Sequence, residues 1–365
     1  MERRWRILGG CGLIAGIFLF VQLGALALVQ PFESAGYQAV EDPSDPTNSL
    51  MYVGAILVAT AVMLLAFRYE VDQLIRGLII FSAAWLSLYV FQVLVPPVLT
   101  YAGLNVVAVL LALGLGTALL VYPEWYVIDA AGAVMGAAAA GLFGISFGVL
   151  PALVLLIVLA VYDAISVYGT EHMLTLASGV MDLRVPVVLV IPMTLSYSYL
   201  DATTPDPAAE AKASDESTAA DTAATESGAD ADSPAVADGS QPAEGPDEAT
   251  DTSEADEADD VHTDPLDRDA LFIGLGDAII PSILVASAAF FASSNVLSVF
   301  GVPLPALTAM VGSYVGLAIL LWMVLKGRAH AGLPLLNGGT IAGYVVGALA
   351  AGISLVDALG LGPYL

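Results

Sequence analysis

The chain carries a single cysteine, Cys11, among 365 residues, so neither an intrachain disulfide nor a multi-cysteine metal or cluster site can form. Its three histidines, His172, His262 and His330, stand far apart and offer no metal-ligand spacing, and no nucleotide-binding motif is present. No metal or other cofactor is expected, and nucleic acid is not an expected partner. Basic residues are scarce as well: 10 Lys and Arg stand against 36 Asp and Glu, for a formal net charge of -26. Most of that acidity lies between Asp201 and Asp269, in one tract of Ala, Asp, Glu, Ser, Thr and Pro, and the rest of the chain is close to neutral.

What the chain has in abundance is apolar sequence. With 58% hydrophobic residues and repeated runs near the twenty or so residues that cross about 30 Å of hydrocarbon, it reads as an all-α, polytopic membrane protein of a cell membrane. Hydropathy gives about nine spans: Ile7 to Val29, Leu50 to Phe67, Gly77 to Val95, Gly103 to Val121, Val127 to Gly148, Leu150 to Tyr168, Ala270 to Ala292, Val302 to Leu325 and Leu335 to Val356. The few basic residues test this count. Arg3, Arg4, Arg6, Arg68, Arg76, Arg184, Lys212, Arg268, Lys326 and Arg328 all fall on one side when the N-terminus is cytoplasmic and the C-terminus lies outside. The Arg-rich start, its apolar core and Ala25-Leu26-Ala27 also fit a cleavable signal peptide, but the apolar run is longer than a usual h-region, and the segment is expected to remain as the first span.

Four parts follow: a six-helix transmembrane part at 1–169, a segment at 170–200, an acidic loop at 201–269 and a three-helix part at 270–365. Within the second, Thr170 to Arg184 is amphipathic, and Pro186 to Pro192 is β-prone, bracketed by proline and too short to span. It is suited to offer a strand edge to an extended peptide. The acidic loop has little to bury and should be disordered; its bias suits a high-salt, halophilic cytoplasm.

Two aspartates interrupt the apolar spans. An ionised carboxylate costs about 2.5 to 3.5 kcal/mol there, so a pair needs a shared reason. Asp163, in Val161-Tyr162-Asp163, lies roughly 9 Å before the cytoplasmic end of the sixth span, and Asp277, in Gly274-Leu275-Gly276-Asp277, roughly 12 Å after the start of the seventh. Similar depth on antiparallel neighbours sets the carboxyls side by side. There they can share one proton, one acting as general base on water while the other polarises a peptide carbonyl. Gly274 and Gly276 would let a second backbone or a substrate approach Asp277, and Pro281 would loosen the helix by removing the hydrogen bond to the Asp277 carbonyl.

Tyr162-Asp163, Gly274-Leu275-Gly276-Asp277 and a proline-led stretch opening the last span resemble the presenilin and signal peptide peptidase family of intramembrane aspartyl proteases, in particular its archaeal presenilin homologues. The resemblance covers essentially the whole chain outside the acidic tract. It implies hydrolysis of peptide bonds in or near transmembrane helices, with Asp163 and Asp277 as the catalytic dyad, and substrate access shaped by the Thr170 to Pro192 region and the last span. Transmembrane substrates and the bilayer are then the partners; accessory subunits are not required, and a homo-oligomer is left open. Where the family has Pro-Ala-Leu, this chain reads Pro334-Leu335-Leu336, and Pro334 should hold Leu335 and Leu336 extended near the scissile bond. Literal Pro-Ala-Leu occurs at Pro151-Ala152-Leu153 and Pro305-Ala306-Leu307, on the outer side and far from both aspartates.

Rival readings fare worse. Gly144-Ile145-Ser146-Phe147-Gly148 matches a serine-nucleophile elbow, but all three histidines lie on the opposite side of the membrane. A proton- or cation-coupled transporter or channel would use Asp129, Asp163, Asp277 and Asp357 as a relay, yet Asp129 and Asp357 lie near span ends.

Overall fold

The computed structural model describes residues 2–69, 71–169, 183–194, 197–200, 270–293, 295–326 and 331–362. The acidic loop and most of the amphipathic stretch fall outside these residues. Among the described residues there are ten helices: α1 (Glu2–Ser34), α2 (Thr47–Arg68), α3 (Asp72–Leu94), α4 (Val106–Val121), α5 (Trp125–Ser146), α6 (Val149–Gly169), α7 (Leu275–Phe290), α8 (Leu304–Val324), α9 (Gly332–Ala350) and the short α10 (Leu355–Ala358). Seven of them (α1, α2, α3, α5, α6, α8 and α9) are long and apolar enough to cross a membrane. The other two expected spans are apolar but shorter, α4 and α7 having 16 residues each.

Those two are short because their expected first residues are spent on strands. Strands β1 (Thr100–Tyr101) and β2 (Leu104–Asn105) form a hairpin ahead of α4, and β5 (Ser298–Val299) and β6 (Val302–Pro303) form another ahead of α8. Both turn on a residue pair with positive φ, Ala102-Gly103 and Phe300-Gly301, the backbone that a two-residue hairpin of this hand requires. In both, the following helix starts with a bond back to the residue before the hairpin, Val106 N–H to the Leu99 carbonyl and Leu304 N–H to the Leu297 carbonyl. Leu99 to Val106 and Leu297 to Leu304 are thus a local structural repeat that hydropathy does not register.

The third sheet bears on the site. Strand β3 (Val188–Pro192) is the expected β-prone stretch, and it pairs antiparallel with β4 (Ala270–Gly274), a segment that reads as the start of the seventh span. Leu189 sits opposite Ile273 and Ile191 opposite Leu271, and the ladder continues one step to the bond from Leu275 N–H to the Val187 carbonyl. Val190, out of phase with that bond, therefore turns its N–H away from β4.

Helix α5 runs through the middle, packed against α1, α3, α7 and β3, and is the most enclosed of the spans. Its Ala- and Gly-rich sequence explains this, since small side chains let several neighbours approach one helix. Gly132 faces Leu189 and the Pro186 carbonyl, Gly136 faces Ile279 and Val21, and Gly144 meets Ala286 of α7. The Gly144 to Gly148 elbow is thus a packing device: Ser146 Oγ accepts from Ala39 N–H at 2.9 Å, and Gly148 N–H donates to the Pro43 carbonyl at 2.7 Å. Helices α8 and α9 pack backbone to backbone, with Gly312 and Gly316 facing Gly339 and Leu335, and Gly343 and Gly347 facing Thr308. Gly339, Gly343 and Gly347, spaced four residues apart, thus form the small-residue face of α9 against α8.

Candidate active site

Helices α6, α7 and α9 pack against one another and carry the residues that matter. Helix α7 begins directly after β4, with Gly274 extended (φ -61°, ψ 130°) as its N-cap, so Asp277 stands in the first helical turn. Its depth follows from this: Asp277 lies one strand beyond the loop, where a single helix from Ala270 had been expected. The first-turn N–H groups have no intrahelical partner, and their partial positive charge favours a carboxylate at that position.

Helix α9 begins at Gly332, so the Leu333 N–H is also free of the helix, and Pro334 after it has no N–H to offer. Leu333 N–H donates to Asp163 Oδ2 at 3.1 Å. On Gly332, the preceding residue, a Cβ would lie 3.1 Å from Asp277 Oδ2. The two carboxyls therefore meet over two consecutive residues at the N-terminus of α9. Asp163 is buried and Asp277 half-buried.

Gly274 and Gly276 are exposed, and no other backbone lies within 4 Å of where their Cβ atoms would be. Of the second backbone or substrate expected to approach there, no second backbone is found, and open space remains beside Asp277. The second backbone comes in at Gly332 instead. Leu275 is buried in the core against α5, while Tyr162 is 37% exposed on α6. Helix α7 runs unbroken through Pro281, so any loosening there is confined to one missing bond.

The last-span motif needs a further correction. Pro334, Leu335 and Leu336 are helical, in the first turns of α9, and Leu336 is fully buried with Leu317 and Leu320. They are not extended, because the chain turns helical two residues before the proline, which the first turn of a helix accepts. Sequence reasoning overlooked Gly332 and Leu333 as contacts and Asn337 altogether. Asn337 Nδ2 donates to the Leu156 carbonyl at 2.9 Å, tying α9 to α6 two turns above Asp163. A fully buried amide in an apolar span was the available signal.

The four-aspartate relay is not assembled. Asp129 Oδ1 accepts from the Val190 N–H of β3 at 2.8 Å, and Asp357 is exposed and held by Ser354 at the start of α10.

Residues 15–353 match the family model described as signal-peptide peptidase, presenilin aspartyl protease. The chain belongs to that family. Two solved structures of a presenilin family intramembrane aspartate protease agree. The one in space group C222 is 31% identical, with a TM-score of 0.57, covering 94% of this chain and 99% of that one. The one in space group P2 is 30% identical, with a TM-score of 0.54, covering 92% of this chain and 96% of that one. A comparison with curated proteins finds no match. The protein is accordingly a multi-pass membrane aspartic endopeptidase of the presenilin type, and the transporter reading is set aside.

Proposed function

We propose that Asp163 and Asp277 are the catalytic pair of this presenilin-family protease, cutting peptide bonds in or near the transmembrane helices of membrane proteins. The observation that carries the reading is the convergence of both carboxyls on Gly332 and Leu333. Two carboxylates at one point repel when both are ionised, and a shared proton removes the repulsion. The ionised member takes a proton from water as the water oxygen attacks the scissile carbonyl carbon. The protonated member gives its proton to the carbonyl oxygen, and a gem-diol results. In the second step the first carboxyl protonates the leaving nitrogen while the second takes a diol proton. The C–N bond breaks, and acid, amine and the original protonation state of the pair are recovered.

A peptide bond inside a helix is shielded, so substrate must be drawn out. The β3–β4 ladder leaves the Phe272 and Gly274 backbone groups facing away from β3, on the edge that leads to Asp277. An extended substrate segment added to that edge runs past the pair, with Gly274 and Gly276 giving it room. This refines the expected strand edge: the strand that receives substrate is β4. Tyr162 borders the site, Leu275 anchors the Gly-Leu-Gly-Asp turn, and Pro334, Leu335 and Leu336 fix where α9 begins.

The same reading takes the seven long helices plus the two shorter ones, α4 and α7, as nine crossings. The N-terminus is then cytoplasmic and the C-terminus outside, which gathers the basic residues on one side. The division at 169, 200 and 269, activity without accessory subunits, and an acidic loop suited to a halophilic archaeon belong to this proposal. Purified protein incubated with a single-span peptide, with and without a transition-state analogue of aspartyl proteases, tests it. Cleavage that the analogue blocks, and that Asp163→Asn and Asp277→Asn each abolish in folded protein, is the expected result; turnover by either variant overturns the pair.

A further inference from the structure

The two edges of the small sheet differ. On β4 the outward N–H and carbonyl of Phe272 and the N–H of Gly274 have no partner among the described residues, while the Gly274 carbonyl, at the N-cap, accepts the first bond of α7. On β3 the outward positions are Pro186, Val188, Val190 and Pro192, by the same alternation. Pro186 and Pro192 have no N–H to give. The Val190 N–H is taken by Asp129 Oδ1 at 2.8 Å, from a helix lying flush against the strand at Gly132. Asp129 is itself buried, 6% exposed, and its second oxygen, Oδ2, has no partner among the described residues. A carboxyl is costly at such a place, so the single bond it makes is its evident use.

We infer that Asp129 is a positioning residue for proteolysis: by occupying the outer edge of β3 at Val190 and fixing the sheet to α5, it leaves β4, of the two strands of this sheet, as the edge on which substrate can pair, beside Asp277. Proline at two outward positions and an inward carboxylate at a third are the devices by which proteins block a strand edge. The adjoining turn is held from the same helix end. Glu124, the N-cap of α5, accepts from Ser198 Oγ at 2.7 Å and from Tyr199 N–H at 3.0 Å, and the Tyr199 ring faces Phe272 of β4 at 6.2 Å. Asp129 and Glu124 thus grip β3 and the chain beyond it at two points, and β4 follows β3 through the ladder.

This inference rests on the protease reading, and its test separates the two. In Asp129→Ala the Val190 donor loses its acceptor, so KM for a single-span peptide should rise about tenfold while kcat stays within about threefold, the size of one hydrogen bond to a charged group. Asp129→Asn keeps an acceptor and should restore KM. Val190→Pro deletes the donor, and with it the tie to α5, while its ring keeps that position of the edge closed, so KM should rise through the lost tie alone, by no more than in Asp129→Ala, and on that background Asp129→Ala should add nothing. It also carries the test if Asp129→Ala yields no monodisperse protein. Amide hydrogen exchange over residues 186–192, read without substrate, should accelerate in Asp129→Ala and not in Asp129→Asn. Wild-type KM in Asp129→Ala, additive single effects, or unchanged exchange overturns the role of Asp129. Retained cleavage in Asp163→Asn or Asp277→Asn would instead sink the catalytic pair and leave the exchange result standing.

Discussion

A methyl group on Gly332 would lie 3.1 Å from Asp277 Oδ2 and 3.4 Å from Leu320 Cδ2. Leu320 is held in the core, so the carboxyl would have to move, and a small displacement of a reacting group is costly. Gly332→Ala should therefore lower kcat roughly ten- to a hundredfold with little loss of folded protein, as measured by initial rates against detergent-stable monomer. Leu335→Ala should leave kcat/KM within about threefold, because Leu335 makes its tight contact with Gly316 through its carbonyl. Leu336→Asp is different in kind. It puts an unpaired carboxylate at a fully buried position, at a cost of several kcal/mol, and should deplete folded protein before any rate is read. At this scale the two aspartates were legible because charge in an apolar span is conspicuous. Gly332 and Leu333 were not, since what they contribute is a missing Cβ and a backbone N–H, and neither has a signature in residue type.

Strand β4 was hidden within an apolar run that hydropathy assigns to a span, and only its pairing with β3 distinguishes it. The residues Ala270 to Gly274 are equally acceptable as helix or strand on composition. If β4 receives the substrate, Phe272→Pro should raise KM sharply while sparing the β3–β4 ladder, since the Phe272 N–H faces outward. Ile273→Pro, one residue on, should break the ladder and destabilise the protein. Peptide kinetics alongside thermal melts distinguish the two outcomes. The grip of α5 on the turn beyond β3 gives a prediction in pH. Burial pushes the Glu124 carboxyl up, but hydrogen bonds from Ser198 and from the N–H groups of Tyr199, Trp125 and Leu200 outweigh it and hold the pKa below the ordinary value of 4.5. A depressed carboxylate contributes its full stabilisation above the unfolded value and loses it as pH falls through the folded one. Exchange protection around Ser198 and Tyr199 should thus be constant above about pH 5 and decline on acidification below 4.5, and Glu124→Gln should flatten that decline.

Across the whole molecule, hydropathy located the long helices with ends within six residues of those found and lost precision where backbone bonds, not side chains, set the structure: the hairpin before α4, the strand before α7 and the helical turn ahead of Pro334. Charge placement is the argument for the proposed nine crossings. If only the seven long helices crossed, the loops on either side of the α5–α6 pair would change sides, and Arg184, Lys212 and Arg268 would lie outside with the acidic loop. That arrangement opposes the positive-inside bias, whereas crossings by α4 and α7 restore it. A helix of 16 residues is about 24 Å long, shorter than the hydrocarbon core by an amount that a preceding hairpin or strand and local thinning of the bilayer can make up. Cys11 is the only native thiol, so Cys11→Ser gives a clean background for labelling. In sealed cells, Glu41→Cys and Leu355→Cys should react with a membrane-impermeant maleimide, and Lys326→Cys should react only after permeabilisation. These three sites come out alike for seven crossings and for the full set. Tyr122→Cys, 49% exposed between α4 and α5, decides between them, because it is cytoplasmic only if α4 crosses. Protection of Tyr122→Cys until the membrane is opened is the expected result; labelling from outside would remove α4 from the membrane and place β3, β4 and the acidic loop on the opposite side.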